Sequence, residues 1–118
     1  MKRKTNDQQA AVANSYPRTR TASDPATIAQ AFRDNLYCLL ARFPSIATRN
    51  DNYMALAYTV RDRLLHRWIR TAQTYLQRQS RTVCYLSAEF LMGPQLGNNL
   101  LSLGIEAQAR EAKSRLGL

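Results

Sequence analysis

The fold of this chain is decided by residues 48–78, which read TRNDNYMALAYTVRDRLLHRWIRTAQTYLQR. Thr48 and Asp51 have the spacing of a capping box, in which each side chain accepts a hydrogen bond from the other residue's backbone N–H. Apolar residues then recur with the period of an α-helix. The segment therefore predicts a long amphipathic helix from about Asn52 to Arg78.

One side of this predicted helix is apolar. At 100° per residue, nine side chains fall within an arc of roughly 140°: Met54, Ala57, Leu64, Leu65, Trp68, Ile69, Ala72, Tyr75 and Leu76. The opposite side gathers Arg63, Arg67, Arg70 and Arg78, which we expect to form a solvated face. Arg61 lies in the middle of the apolar arc, where a buried guanidinium needs a carboxylate or carbonyl partner that the sequence does not identify.

A second helix is predicted on the N-terminal side of this segment. Asp24 and Pro25 have the residue types of an N-cap and a first helical position. The apolar residues that follow have helical spacing up to Phe43, where Pro44 disfavours continuation. Residues 44–51 then form a connector. Residues 1–23 are polar with few large apolar groups, so we expect a disordered tail.

The C-terminal side predicts one short strand and two helices. Thr82–Leu86 is rich in β-branched and aromatic residues, which is typical of a buried strand. Residues 95–103 look helical and end at Gly104, and a last helix occupies about 106–116. A single strand cannot form a sheet, so its neighbours must come from other sequence. The predicted fold is mostly α with one short β-strand, within a helical segment over residues 24–118.

Composition and charge limit the functional classes. The chain has 118 residues and a net charge of +9, which allows one domain at most. The excess basic residues are spread over the tail and the helices and form no dense block. Aromatic and basic residues are not interleaved in the way that is typical of nucleic-acid binding. Cys38, Cys84 and His66 lack metal-ligand spacing, and we expect the cysteines to be reduced, packed thiols. No signal sequence or membrane span is predicted, which favours a cytoplasmic protein.

Two separated motifs resemble the N-terminal region of the α-glucan phosphorylases, the family of glycogen, starch and maltodextrin phosphorylases. The first is Asp51-x-Tyr53-x-Ala55-Leu56-Ala57-x-Thr59-Val60-Arg61-Asp62, continued by Arg67-Trp68-Ile69-Arg70-Thr71. The second is Tyr85-Leu86-Ser87-Ala88-Glu89-Phe90-Leu91-Met92-Gly93, followed by Leu96-x-Asn98-x-Leu100-x-x-Leu103-Gly104. The resemblance covers about residues 25–117.

The resemblance implies an N-terminal fragment of a much longer enzyme. Members of the family have two Rossmann-like lobes of the GT-B type and carry pyridoxal phosphate on a lysine of the C-terminal lobe. They cleave terminal α-1,4-glucosidic bonds with orthophosphate and release glucose 1-phosphate, and they form homodimers. None of the three lysines here corresponds to the cofactor lysine. We therefore expect this chain to hold no catalytic, cofactor-binding or metal-binding residue and to be inactive alone.

The resemblance also assigns roles to a few positions. Glu89 matches a glutamate that helps to shape the glucose pocket. Trp68 and Gln73 match positions of the nucleotide effector site of animal relatives, at a dimer contact. This chain has Leu76 where those relatives have the tyrosine that stacks on the nucleotide base, and Ala72 where they have a glutamine. We therefore expect weak or absent activation by AMP.

Two alternatives remain open from the residues. The first is a small, independent basic module that binds nucleic acid or a partner protein through the arginine-rich helix. It explains the sequence pI near 10.3 but leaves the single strand without a partner. The second is a regulatory protein that pairs with a complete phosphorylase through the helical face.

Overall fold

The computed structural model describes residues 20–89 and 93–118. Four α-helices and one π-helix make up its regular structure: α1 Pro25–Asp34, the π-helix Asn35–Leu39, α2 Arg49–Arg78, α3 Gln95–Leu103 and α4 Glu106–Leu116. The predicted mostly helical character is confirmed. Of the predicted disordered tail over residues 1–23, residues 1–19 lie outside the described residues.

Capping residues define where α1 and α2 begin. The Asp24 side chain accepts a hydrogen bond from the Thr27 backbone N–H at 2.9 Å, with Pro25 at the first helical position. Thr48 and Asp51 form the complete capping box, with backbone-to-side-chain distances of 2.9 and 3.2 Å. Both helix starts were recognisable because a cap depends on side chains within a few residues of each other.

The helix that begins at Pro25 does not continue to Phe43 as predicted. It widens into the π-helix, in which the Leu40 N–H donates to the Asn35 carbonyl, and regular structure ends at Leu39. Ala41 then has a left-handed backbone with φ of 51°. A non-glycine residue in this region cannot continue a right-handed helix.

The core lies where α1 is enclosed by α2 and α4. Phe32 and Leu36 pack with Ala55 of α2, and Ile28 and Ala29 pack with Ala112 of α4. A further cluster joins the middle of α2 to the end of α3 and the residue that follows it, through Val60, Leu103 and Ile105. These contacts bury one side of the first half of α2, and among the described residues the apolar side of the second half beyond Leu64 stays exposed.

The face of α2 that is buried differs from the predicted apolar arc. The buried residues are Ala55, Thr59, Val60 and Arg63, and Leu65, Trp68, Ile69, Tyr75 and Leu76 are exposed. The expectation that Arg63 belongs to a solvated face is therefore wrong. Arg61 is half exposed, its guanidinium lying 3.1 Å from the Asp62 carboxylate and 4.7 Å from the centre of the Tyr58 ring. The predicted burial of Arg61 is wrong because neighbouring helices cover the opposite side.

The predicted strand Thr82–Leu86 is absent. These residues lack regular structure, and the side chains of Val83, Tyr85 and Leu86 are about nine-tenths exposed. A strand is stabilised by backbone hydrogen bonds to a neighbouring strand, and the described ranges supply no second strand. The segment therefore has the residue types of a strand but no partner strand within residues 20–89 and 93–118.

Candidate functional site

Glu89, the predicted pocket residue, lies in the irregular segment between α2 and α3. The Ser87 hydroxyl accepts from the Glu89 N–H at 3.1 Å and lies 3.0 Å from the Glu89 carbonyl, to which it also donates. These bonds form a small local turn, and Glu89 is exposed. The turn orients the backbone of this residue and leaves the residue at the surface.

Trp68 and Gln73, the predicted effector-site residues, lie on the second half of α2. Trp68 is 67% exposed, whereas Gln73 is half-buried. Five residues at 100° each separate the two positions by about 140° around the helix. Trp68 is therefore on the same side as Leu76 and Ala72, and Gln73 lies toward a different side. The helix alone does not bring the two predicted residues together.

The exposed residues Leu65, Trp68, Ile69, Ala72, Tyr75 and Leu76 form what we call the α2 apolar face. Its exposure is high, reaching 79% at Leu76. Contiguous apolar surface of this kind is uncommon on a complete soluble domain and marks a surface that packs against other protein. The predicted amphipathic character of α2 is present, although its apolar side faces outward in the described structure.

Two of the arginines expected to form a solvated face donate to backbone carbonyls, and of these Arg67 remains exposed whereas Arg63 is buried. Arg67 donates to the Leu103 carbonyl at 2.9 Å, at the C-terminus of α3, where a positive charge is favoured by the helix dipole. Arg63 donates to the carbonyls of Thr59 and Ala22. Burial lowers the pKa of the Arg63 guanidinium. Arginines committed to backbone carbonyls are less available to bind phosphate, which weakens the case for a nucleic-acid surface.

A polar cluster that the sequence did not reveal lies between α2 and the start of the π-helix. Asn35 is fully buried, and its amide donates to the Thr59 hydroxyl at 3.1 Å and accepts from Arg20 at 2.6 Å. The hydrogen bond from Arg20 to Asp62 raises the pKa of the Arg20 guanidinium. One signal was present in the sequence, because Ala55, Thr59 and Arg63 recur every four residues along one side of α2.

A cavity of about 280 Å³ lies between α1, the connector and the C-terminus of α4. Phe32, Leu36 and Leu116 supply its apolar lining, and Arg33 and Arg115 lie among its polar lining residues. Arg115 already pairs with Glu111 at 2.6 Å. The cavity includes none of Glu89, Trp68 and Gln73, so it does not correspond to either predicted site.

The cysteines and the histidine form no metal site in the described part of the chain. Cys38 and Cys84 are free, as predicted, but both are exposed, so the expectation of packed thiols is wrong. No helix among the described residues is long and apolar enough to cross a membrane.

Comparison with known proteins shows similarity to glycogen phosphorylases. A glycogen phosphorylase from Synechocystis is 56% identical over 99 residues, which cover 84% of this chain and 12% of the relative. The chain matches a segment of the glycogen phosphorylase family. The brain form of Bos taurus is 44% identical over 95 residues, and the human liver form is 43% identical over 93 residues. Each of these two matches covers 11% of the relative.

The glycogen phosphorylase match bears on one of the alternatives that the sequence left open, the independent basic module. It covers 79–84% of the chain in these three relatives, and it does not support an independent basic module. No family model matches the chain. The chain spans about a tenth of the length of the relatives, which agrees with a fragment of a phosphorylase and with its uncovered apolar surface.

Proposed function

We propose that the chain is part of an α-1,4-glucan phosphorylase and forms the beginning of the N-terminal Rossmann-like lobe of a two-lobed GT-B enzyme. The complete enzyme cleaves terminal α-1,4-glucosidic bonds with orthophosphate and releases glucose 1-phosphate. The observation that carries this proposal is the 56% identity with the Synechocystis glycogen phosphorylase over 99 residues. On the resemblance alone, the proposal includes a homodimer in the cytoplasm.

The uncovered surfaces support a role as part of a larger lobe. The α2 apolar face and residues 82–86 expose large apolar side chains that would each gain about 1.5–3 kcal/mol on full burial. Residues 82–86 have the composition of a buried strand but lack a partner within the described ranges. We propose that further sequence of the same lobe pairs with this segment and packs on the α2 apolar face.

The described residues do not fit pyridoxal phosphate. Within residues 20–89 and 93–118 the only lysine is Lys113, whose side chain is exposed on α4. We therefore place the cofactor lysine of the complete enzyme outside these residues and propose that the isolated chain is catalytically inactive. Glu89 is proposed as a residue that shapes the glucose pocket once the lobe is complete.

A chimaera tests the proposed function directly. The aligned segment of the Synechocystis glycogen phosphorylase is replaced by the matching 99 residues of this chain. We expect the chimaera to release glucose 1-phosphate from glycogen within about tenfold of the parent rate, because volume-conserving changes in packed cores are tolerated. A folded, cofactor-loaded chimaera without phosphorolysis would contradict the proposal.

Glu89 provides a matched pair of variants in the same chimaera. Glu89→Gln keeps the size of the side chain and removes its charge, and Glu106→Gln makes the same change on the exposed surface of α4. We expect the first to lower kcat/KM for glycogen and the second to leave it unchanged. Equal activity of the two variants would remove Glu89 from the pocket.

We also infer that the enzyme responds weakly or not at all to AMP. Leu76 and Ala72 cannot provide the aromatic stacking and the amide hydrogen bond that the resemblance assigns to these positions. Titration of the chimaera with AMP should give little activation, and the Leu76→Tyr/Ala72→Gln double variant should respond more strongly. Strong activation of the unmodified chimaera would show that recognition uses other residues.

A further inference from the structure

Residues 20–22 are attached to the helices by side-chain contacts in both directions. The Arg20 guanidinium donates to the Asp62 carboxylate at 2.8 Å and to the Asn35 side-chain oxygen at 2.6 Å. In return, Arg63 donates twice to the Ala22 carbonyl, at 2.6 and 3.1 Å. Four hydrogen bonds thus join a three-residue segment to α2 and to the first residue of the π-helix.

The hydrogen bond from Arg20 to Asn35 matters for the fold because Asn35 is fully buried. Its side-chain oxygen accepts from Arg20 and its side-chain nitrogen donates to Thr59, whose hydroxyl donates to the Ala55 carbonyl. Loss of the Arg20 guanidinium would leave a buried amide oxygen without its donor. Such a group is costly to leave unpaired, so Asn35 is expected to move toward water.

The backbone of Asn35 also supports the π-helix. Its carbonyl accepts from the Leu40 N–H at 3.1 Å, and the carbonyl of the next residue, Leu36, accepts from the Arg42 N–H at 3.0 Å. A displacement of Asn35 therefore acts on both hydrogen bonds that close this turn. The turn carries the exposed side chains of Tyr37 and Leu39, so their positions depend on the same contacts.

We propose that residues 20–22 form a strap that holds the π-helix against α2, with Arg20 as the positioning residue. When the strap is docked, the guanidinium links Asp62 of α2 to Asn35 and keeps the turn closed. When it is undocked, Asn35 loses its donor and the turn opens. The segment that precedes α1 thereby controls the surface formed by the π-helix. This inference rests on the contacts of the chain and not on the proposed function.

Amide hydrogen exchange of the 118-residue chain tests the strap. In Arg20→Ala, the amides of Leu40 and Arg42 are expected to exchange about tenfold faster, since a charge-assisted hydrogen bond to a buried group is lost. The amides of Gly104 and Ile105, which close the end of α3, should keep their rates. The matched control is Arg110→Ala, which removes an exposed arginine paired with Glu106 at 3.0 Å. It should leave the Leu40 and Arg42 amides unchanged.

Arg20→Lys separates positioning from general stability. A lysine keeps the charge beside Asp62 but lacks the planar fork that reaches two acceptors at once. We expect a smaller, still selective acceleration at Leu40 and Arg42. Unchanged exchange at these amides in both Arg20 variants would overturn the proposal. So would an acceleration that is uniform across Leu40, Arg42, Gly104 and Ile105 in both variants, because Arg20 would then stabilise the whole chain without positioning the turn.

Discussion

The two halves of α2 both carry apolar residues but have opposite environments. In the first half, Ala55, Thr59 and Val60 are almost completely buried against α1, the π-helix and the region around the end of α3. In the second half, Trp68 and Leu76 are mostly exposed. The difference lies in the neighbours, because α1 and the end of α3 contact only one side of the helix. An apolar stripe shows that a helix side can be buried, and the rest of the fold determines whether it is.

The first half of α2 also contains buried polar side chains, and each of them has a hydrogen-bond partner. Among the described residues, no buried side-chain nitrogen or oxygen lacks a hydrogen-bond partner. Asn35, Thr59 and Arg63 meet this requirement through one another, through Arg20 and through backbone carbonyls. The first half of α2 is therefore stabilised by packing and by paired polar groups together, whereas in the second half these contacts are confined to its start, at Leu64 and Arg67.

The largest predicted effect contrasts the core with the α2 apolar face. Phe32→Ala removes a ring packed on Leu36 and Ala55 and should lower the free energy of unfolding by about 3–5 kcal/mol, enough to unfold a marginal chain. Leu76→Ala, at a position 79% exposed, should change it by less than about 0.5 kcal/mol. Urea unfolding followed by circular dichroism measures both. Similar losses would mean that the apolar face is covered in solution.

A smaller effect should distinguish Arg61, which was predicted to be buried, from Arg63, which was predicted to be solvated. Arg63→Ala removes both hydrogen bonds that the guanidinium donates to the Ala22 carbonyl and its additional bond to the Thr59 carbonyl. It should cost about 1–3 kcal/mol of unfolding free energy. Arg61→Ala removes a half-exposed contact with Asp62 and should cost less than about 1 kcal/mol. Urea midpoints of the two variants compare them directly. A greater loss at Arg61 would support the original sequence interpretation.

The smallest effect concerns pH and the start of α2. Hydrogen bonds from the Thr48 backbone and hydroxyl lower the pKa of the Asp51 carboxyl below its usual value near 3.9. A carboxyl with a lowered folded-state pKa stabilises the fold above its unfolded-state pKa, and this contribution is lost as the pH falls through the folded-state value. Asp51→Asn should therefore reduce the decline of the urea midpoint between pH 5 and pH 3, values chosen to bracket the usual pKa. A decline as steep as in the unsubstituted chain would exclude Asp51 as its source.

Local features of the fold were predictable, and long-range ones were not. The caps at Asp24 and Thr48 and the helix end at Gly104 follow from residues adjacent in sequence. The prediction of a strand at residues 82–86 was wrong because a strand requires a second strand to pair with, and the described residues contain none. The π-helix was missed, and its first residue, Asn35, contacts residues distant in the chain that residue order alone does not identify.

The candidate site divides in the same way. Motifs around Trp68 and Glu89 were sufficient to indicate the phosphorylase family, since a family signature is a property of residue order. They did not predict which side of α2 is buried, nor that Arg20 would contact Asn35 and Asp62. These two contacts cross 15 and 42 positions of sequence. The sequence by itself determined the mostly helical character, the caps of α1 and α2 and the family. Only the tertiary structure decided which surfaces are inside, because burial depends on which elements meet and on how their polar groups are paired.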